Sequence, residues 1–238
     1  MSEEDAFLKS ICDAPDDDTP RLVFADWLQE RGNPFDTAWA SLIRVQVGLA
    51  SAPPGEERDA LKARERMIAT PFFHGQWVKR VSLPARANFW WGTWERGFPC
   101  ELTGPFAYIL AARNLFADRI PFRSLEIGVR TLTEFRRVLA WRELRRLTTY
   151  SVYSEVWDLE IGDAHAAALA SCASLAGLVA LRLRFMSITD RGAADLLDSI
   201  HLRGVRELAL TWSDRPGGAL SRSVRKRLTD RFGPHCLR

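Results

Sequence analysis

Apolar residues recur every three or four positions through the first third of the chain, the spacing that one face of an α-helix produces. The first such stretch predicts a helix over Glu3–Asp13, with Ser2 as its N-cap facing Asp5. Two further helices are predicted over about 36–50 and 56–69. None of these helices alone buries enough apolar surface to be stable, so together they predict a small helical bundle.

The most strongly marked helix lies in the stretch DDDTPRLVFADWLQERGNP, residues 16–34. Thr19 before Pro20 is typical of an N-cap followed by proline at the first helical position. Gly32 and then Pro34 are the usual signals of a helix end. A helix from about Pro20 to Arg31 is therefore predicted, and its charged side chains are interpreted as surface charges because no catalytic motif accompanies them.

An aromatic stretch, HGQWVKRVSLPARANFWWGTW at residues 74–94, follows neither the helical nor the strand period. Trp90 and Trp91 in it could form a stacking platform for bases or sugars. The alternative, which we favour, is that the aromatic residues cap the first of a series of repeats, because an open repeat end needs covering.

Repeats begin near residue 97. The runs LVALRL at 178–183 and VRELAL at 205–210 both match L-x-x-L-x-L, and they start 27 residues apart. FRSLEI at 122–127 and LRRLTTY at 144–150 are weaker copies, with Leu144 and Leu147 at the first two leucine positions. Helical segments are predicted between them over 105–117, 133–141, 163–171, 191–199 and 221–232. The segment from Tyr150 to Asp158 breaks the spacing and predicts an insertion.

These patterns predict an α/β chain in which a small N-terminal helical bundle is followed by a short leucine-rich-repeat solenoid of the ribonuclease-inhibitor-like form, with parallel strands and helices on one side. The predicted parts are a helical domain over 1–80, an aromatic linker or cap over 81–96, and degenerate repeats with a C-terminal capping helix over 97–238.

The residues between the repeat leucines are predicted to face outward on the sheet, where a solenoid binds its partners. With Trp90 and Trp91 they are the candidate binding residues. The outward set is Ser124, Glu126, Arg146, Thr148, Tyr150, Arg182, Arg184, Glu207, Ala209 and Thr211.

Residues 3–49 resemble the repeat-companion domain, an N-terminal helical domain found in many paralogous copies in planctomycete bacteria. The matching residues are PRLVFADWL at 20–28 and IRVQ at 43–46, and the chain departs from the family pattern at PFDTAW, 34–39. The resemblance implies a bacterial protein in which this domain precedes leucine-rich repeats. It implies no activity.

The composition limits the possible functional classes but does not identify a function. The chain has 238 residues, 47% of them hydrophobic, no apolar run long enough to span a bilayer and an acidic N-terminus, so a cytoplasmic globular protein is expected. Four scattered cysteines favour neither a zinc site nor a disulfide framework. No Walker, H-E-x-x-H, G-x-S-x-G or G-x-G-x-x-G motif occurs, and no catalytic residue, metal ligand or cofactor is predicted.

The leading functional hypothesis is therefore a non-enzymatic module that binds an unknown protein partner through the repeat sheet or the aromatic stretch. Nucleic-acid binding through the arginine-rich repeats, the tryptophans or the basic residues at 222–231 is one alternative. A hydrolase is the second alternative.

Overall fold

The computed structural model describes residues 2–81, 90–155, 161–212 and 220–237, apart from the side chains of residues 90, 91, 115, 116, 185, 186 and 212. It is an α/β protein that divides into two compact units. The first unit comprises Met1–Glu101 and Tyr108–Phe122, and the second comprises Leu102–Ala107 and Arg123–Arg238.

The first unit is mainly helical. Its α1 and α4 follow the predicted bounds within one residue, and α1 carries the predicted capping box between Ser2 and Asp5. Its elements are α1 (Glu3–Asp13), α2 (Thr19–Arg31), α3 (Pro34–Ser51), α4 (Glu56–Ile68), α5 (Pro71–Arg80), β1 (Trp90–Trp91), β2 (Trp94–Glu95) and β3 (Phe98–Pro99).

The start of α2 differs from the prediction. Thr19 is the first residue of the helix and not its cap, and Asp18 occupies the cap position without a side-chain hydrogen bond to the helix. The Asp17 carboxylate accepts the Thr19 N–H at 2.8 Å, and this hydrogen bond lowers the pKa of Asp17. Gly32 ends the helix at φ +70°, as predicted. Three successive aspartates offer several acceptor oxygens, so the sequence could not tell which residue begins the helix.

The first residues of the aromatic stretch are helical although they show no clear period in the sequence, because α5 extends to Arg80, the last residue of the predicted helical domain. Thr70 caps this helix by accepting the Phe73 N–H at 3.2 Å, and Pro71 follows at the first helical position. The sequence has the same Thr-Pro pair at Thr19-Pro20, although there the threonine is the first residue of α2 and not its cap. Phe73 and Trp77, four residues apart, are both buried and supply the apolar face.

A tight hairpin between β2 and β3 packs against α3. Its turn residues, Arg96 and Gly97, have φ values of +52° and +85°. The Gly97 N–H donates to Gln46 Oε1 at 2.6 Å, and the Gly97 carbonyl accepts Trp39 Nε1–H at 2.8 Å. A Cβ atom on Gly97 would lie 2.2 Å from Cγ1 of Ile43. Ile43 and Gln46, two residues of the IRVQ run, therefore hold the hairpin in place.

In its described residues the second unit contains five neighbouring strands in the order β4-β5-β6-β7-β8, with β5 to β8 pairing in parallel. Its helices confirm the predicted segments within two residues at each end. The elements are β4 (Glu101–Pro105), α6 (Phe106–Phe116, divided between the units), β5 (Ser124–Val129), α7 (Leu132–Leu139), β6 (Thr149–Ser154), α8 (Asp163–Ala170), β7 (Ala180–Met186), α9 (Asp190–Asp198), β8 (Glu207–Trp212) and α10 (Arg222–Phe232). Three 3₁₀ turns cover Arg142–Arg146, Ala173–Leu175 and Pro234–Cys236.

The strand register is regular. Ser124 pairs with Thr149, Thr149 with Ala180 and Ala180 with Glu207, which are steps of 25, 31 and 27 residues. The longest step lies where the sequence predicts an insertion. Two rows of side chains point into the core and are at most 5% exposed: Leu125, Tyr150, Leu181 and Leu208 in one row, and Ile127, Val152, Leu183 and Leu210 in the other.

Tyr150 therefore corrects the predicted register of β6. It was expected to face outward, but it is fully buried in the row of Leu125 and Leu181. The repeat in this strand is Leu147-x-x-Tyr150-x-Val152, three residues later than the sequence interpretation placed it. Leu144 lies in the preceding 3₁₀ turn and is also buried.

Candidate ligand groove on the sheet

The other face of the strands carries the polar side chains. Glu126, Arg182, Arg184, Glu207 and Thr211 occupy outward register positions there, as predicted. Arg146 and Thr148 do not lie within a strand, because Arg146 ends a 3₁₀ turn and Thr148 precedes β6. With the corrected register, the outward residues of β6 are Thr149, Ser151 and Tyr153, none of which was predicted as a candidate.

Ion pairs cross this face. Arg184 Nη1 lies 2.9 Å from Glu126 Oε1, so the pair spans from β7 to β5. Arg182 Nη2 lies 3.7 Å from Glu207 Oε2, and these two side chains are 44% and 71% exposed. A pair this open and this long is weak, since exposed ion pairs contribute at most about 1 kcal/mol. Arg182 can therefore exchange Glu207 for another carboxylate at little cost.

Tyr153 lies in the same outward row as Arg184. Partial burial, with smaller contributions from Glu155 and Glu126, raises the pKa of its phenol. The phenol therefore remains protonated at neutral pH and is available as a hydrogen-bond donor on this face.

A groove of about 480 Å³ runs along the end of this face. One wall comes from β7 and β8, and the other comes from the end of α10 and the 3₁₀ turn Pro234–Cys236. The C-terminal segment is joined to the sheet by a parallel bridge between Leu210 and Leu237. The lining residues are Arg182, Arg184, Arg206, Glu207, Leu208, Ala209, Thr211, Phe232, His235 and Cys236. We call this the arginine groove.

The charges of the arginine groove are unequal, because three guanidinium groups and one carboxylate line it among the residues that the structure describes. Arg206 is exposed, and no ion pair of its side chain occurs within the described ranges. Its main-chain N–H donates to the Val179 carbonyl at 2.8 Å, which fixes the residue at the start of β8. Cys236 is buried, and burial raises the pKa of its thiol, so this cysteine stays uncharged. The described lining of the groove therefore carries a surplus of positive charge.

In the part of the aromatic stretch that the structure describes, the tryptophans pack against other aromatic rings. Trp77 is fully buried, and its ring contacts Trp94 edge to face at 5.0 Å. Trp94 also stacks on His74 at 4.7 Å between ring centroids. The side chains of Trp90 and Trp91 lie outside the described atoms. The two described tryptophans are packing residues within the first unit.

The basic residues of α10 are mostly engaged within the protein. Arg231 donates to the carbonyls of Leu197 and Leu202 at 2.6 and 3.1 Å. Arg227 pairs with Asp198 at 2.8 Å, and Arg225 donates to the Leu220 carbonyl at 3.1 Å. Arg227 and Arg231 thus hold α10 against the end of α9 and the residues after it, while Arg225 makes a local contact at the start of α10.

Among the described residues, no group of three His, Cys, Asp or Glu side chains could hold a metal ion. His165 is 4% exposed, and neither ring nitrogen has a hydrogen-bond partner within the described ranges. Burial, assisted by Arg136, lowers the pKa of His165 to about 4. It is thus a neutral core residue. None of the helices in the described ranges combines the length and hydropathy required to cross a bilayer.

Comparison of the chain with protein-family models, with curated proteins and with solved structures gave no match.

Proposed function

We propose that this chain is a non-enzymatic protein-interaction module of the leucine-rich-repeat kind, in which the arginine groove receives the partner. The observation that carries the proposal is the groove itself, an open 480 Å³ concavity on the polar sheet face with unequal charge. Its volume lies within the range of about 300–1,000 Å³ that is typical of ligand sites. The resemblance of residues 3–49 to a repeat-companion domain agrees with this architecture.

The repeat character of the second unit is supported by hydrogen bonds that recur from one strand to the next. The N–H groups of Thr148, Val179 and Arg206 donate to the carbonyls of Arg123, Thr148 and Val179 respectively, each at 2.8 Å. In each case the residue directly before a strand donates to the carbonyl of the residue directly before the neighbouring strand.

The helices are linked in the same way. The Asp163 carboxylate accepts the N–H groups of Thr189 and Gly192 at 2.8 and 3.1 Å, and the Asp190 carboxylate accepts the Ser221 N–H at 2.7 Å. Asp163 and Asp190 stand 27 residues apart, in the Ile-Gly-Asp and Ile-Thr-Asp runs of the sequence. Nearest-neighbour contacts of this kind are what a repeat architecture requires.

The test is site-specific photocrosslinking. A photoreactive amino acid replaces Ala209 in the groove, and a matched control places it at Lys226 on exposed α10. Both proteins are irradiated in a lysate of the source cells, with and without nuclease. We expect discrete protein adducts from position 209 that resist nuclease and are absent from position 226. Equal labelling at both positions, or an adduct removed by nuclease, would refute the interaction proposal.

A further inference from the structure

We infer that the partner presents an acidic peptide segment to the arginine groove, with Arg206 as its principal anchor. This inference rests on the proposed function and adds the chemistry of the ligand. Arg184 already has Glu126 at 2.9 Å, and Arg182 has only the distant carboxylate of Glu207 at 3.7 Å. Arg206 is then the arginine of the groove whose side chain has no acidic partner among the residues that the structure describes.

The guanidinium group favours a carboxylate ligand because its N–H donors match the two oxygens of a carboxylate in a bidentate geometry. A peptide carboxylate that reaches Arg206 would also lie near the face where Arg182 is weakly paired. Arg182 can turn from Glu207 to the ligand, because both of those side chains are largely exposed. The groove can therefore accept two acidic side chains without leaving a buried charge unpaired.

The groove also provides apolar contact. Ala209, which lies on the outward face, and Phe232 are among its lining residues. In an extended peptide successive side chains point to opposite sides, so the acidic side chains of an alternating segment all face the groove and the small side chains between them face away. The arginines can therefore contact the carboxylates of such a segment, and Ala209 and Phe232 can contact the methylene groups of its acidic side chains.

A peptide fits this surface better than a nucleic acid does. Glu126 and Glu207 lie among the arginines, and a continuous phosphate backbone would be repelled by both carboxylates. The neighbouring basic helix α10 has Arg225, Arg227 and Arg231 engaged with the protein itself. An acidic peptide, unlike a nucleic acid, can carry carboxylates opposite the arginines and uncharged residues opposite Glu126 and Glu207.

The test uses the full chain and a fluorescent decapeptide of alternating glutamate and alanine, with the glutamine–alanine decapeptide and a deoxythymidine decanucleotide as comparisons. Binding is measured by anisotropy at low and at physiological ionic strength. Arg206→Gln removes the anchor charge, and Arg222→Gln removes an exposed charge on α10 as the matched control. Circular dichroism establishes that both variants are folded.

We expect the acidic peptide to bind more tightly than the glutamine peptide. The Arg206→Gln variant should weaken it by roughly tenfold, the loss of one charge-assisted contact, while Arg222→Gln changes it less than about twofold. Equal effects of the two variants, or no acidic-peptide binding at about 1 mM, would overturn the inference. Tighter, Arg206-dependent binding of the oligonucleotide would also overturn it, in favour of nucleic acid.

The two proposals fail separately. If position 209 yields a discrete protein adduct while the acidic peptide does not bind, the interaction module stands and the chemistry of its ligand is wrong. If no specific adduct forms at position 209 and the peptide binds equally to both variants, both proposals are wrong.

Discussion

Replacing His165 by leucine tests the interpretation of that residue as a neutral core side chain. His165 is 4% exposed, packs edge to face on Phe135 with 5.0 Å between ring centroids, and lies near the positive charge of Arg136. Burial first, and then Arg136, hold its pKa at about 4, below the usual 6.5. The unfolded chain therefore binds a proton at mildly acidic pH that the folded chain excludes.

The direction and size of the effect follow from this difference. Stability is fully present above the unfolded pKa and falls as the pH drops from 6.5 toward 4. Lowering the pH from about 7.5 to about 5 should therefore reduce the free energy of unfolding by about 2 kcal/mol through His165 alone. Leucine neither titrates nor leaves buried nitrogens unpaired, so His165→Leu should remove this part of the pH dependence and be neutral or stabilising at neutral pH.

The assay should report on α8 itself, because the chain has two compact units and need not unfold in one step. Hydrogen exchange of the α8 peptide, followed by mass spectrometry across denaturant concentrations at several pH values, gives a local unfolding free energy. His235→Gln, at an exposed position, is the control for removing a histidine. A difference between parent and His165→Leu that stays constant from neutral to acidic pH would refute the reasoning.

Two further predictions concern packing. The Tyr150 hydroxyl is fully buried and has no hydrogen-bond partner within the described ranges, so Tyr150→Phe should raise the free energy of unfolding by about 1 kcal/mol in chemical denaturation. Tyr153→Phe on the outward face should bring no such gain, and a loss at position 150 would reveal a hydrogen bond. Gly97→Ala should cost about 2–4 kcal/mol, because its φ is +85° and the new Cβ would overlap Ile43. Gly32→Ala, at φ +70° with no atom within 4 Å, should cost only about 1 kcal/mol, and equal costs would contradict the packing argument.

Local signals explain what the sequence could predict. The capping box of α1 needs only Ser2 and Asp5, and the stop of α2 needs only Gly32. The parallel sheet could be predicted because its strands recur at steps of 25 to 31 residues and helices lie between them. Such features depend on residues a few positions apart, which a sequence displays directly.

The register of β6 was missed for a physical reason. Leu144 and Leu147 are three residues apart and mimic the start of a repeat, although Leu144 belongs to a 3₁₀ turn. A signal was present: Leu175 precedes Leu178 by the same three residues, and Leu202 precedes Val205. Aligning all three pairs would have placed Tyr150 in the core. Tyrosine obscured this alignment because its hydroxyl makes it as common on a polar face as in a core.

The arginine groove depends on contacts that no local pattern encodes. Arg206 directly precedes β8, while His235 comes from a turn that follows α10, and the two line one groove because Leu237 bridges to Leu210. The pairing of Arg184 with Glu126 likewise requires the register of three strands. This geometry changes which mutation is informative. Reversing the charge of Arg184 would disrupt an existing ion pair on the sheet, whereas neutralising Arg206 removes a charge for which the described ranges hold no counter-charge and so isolates its contribution to binding.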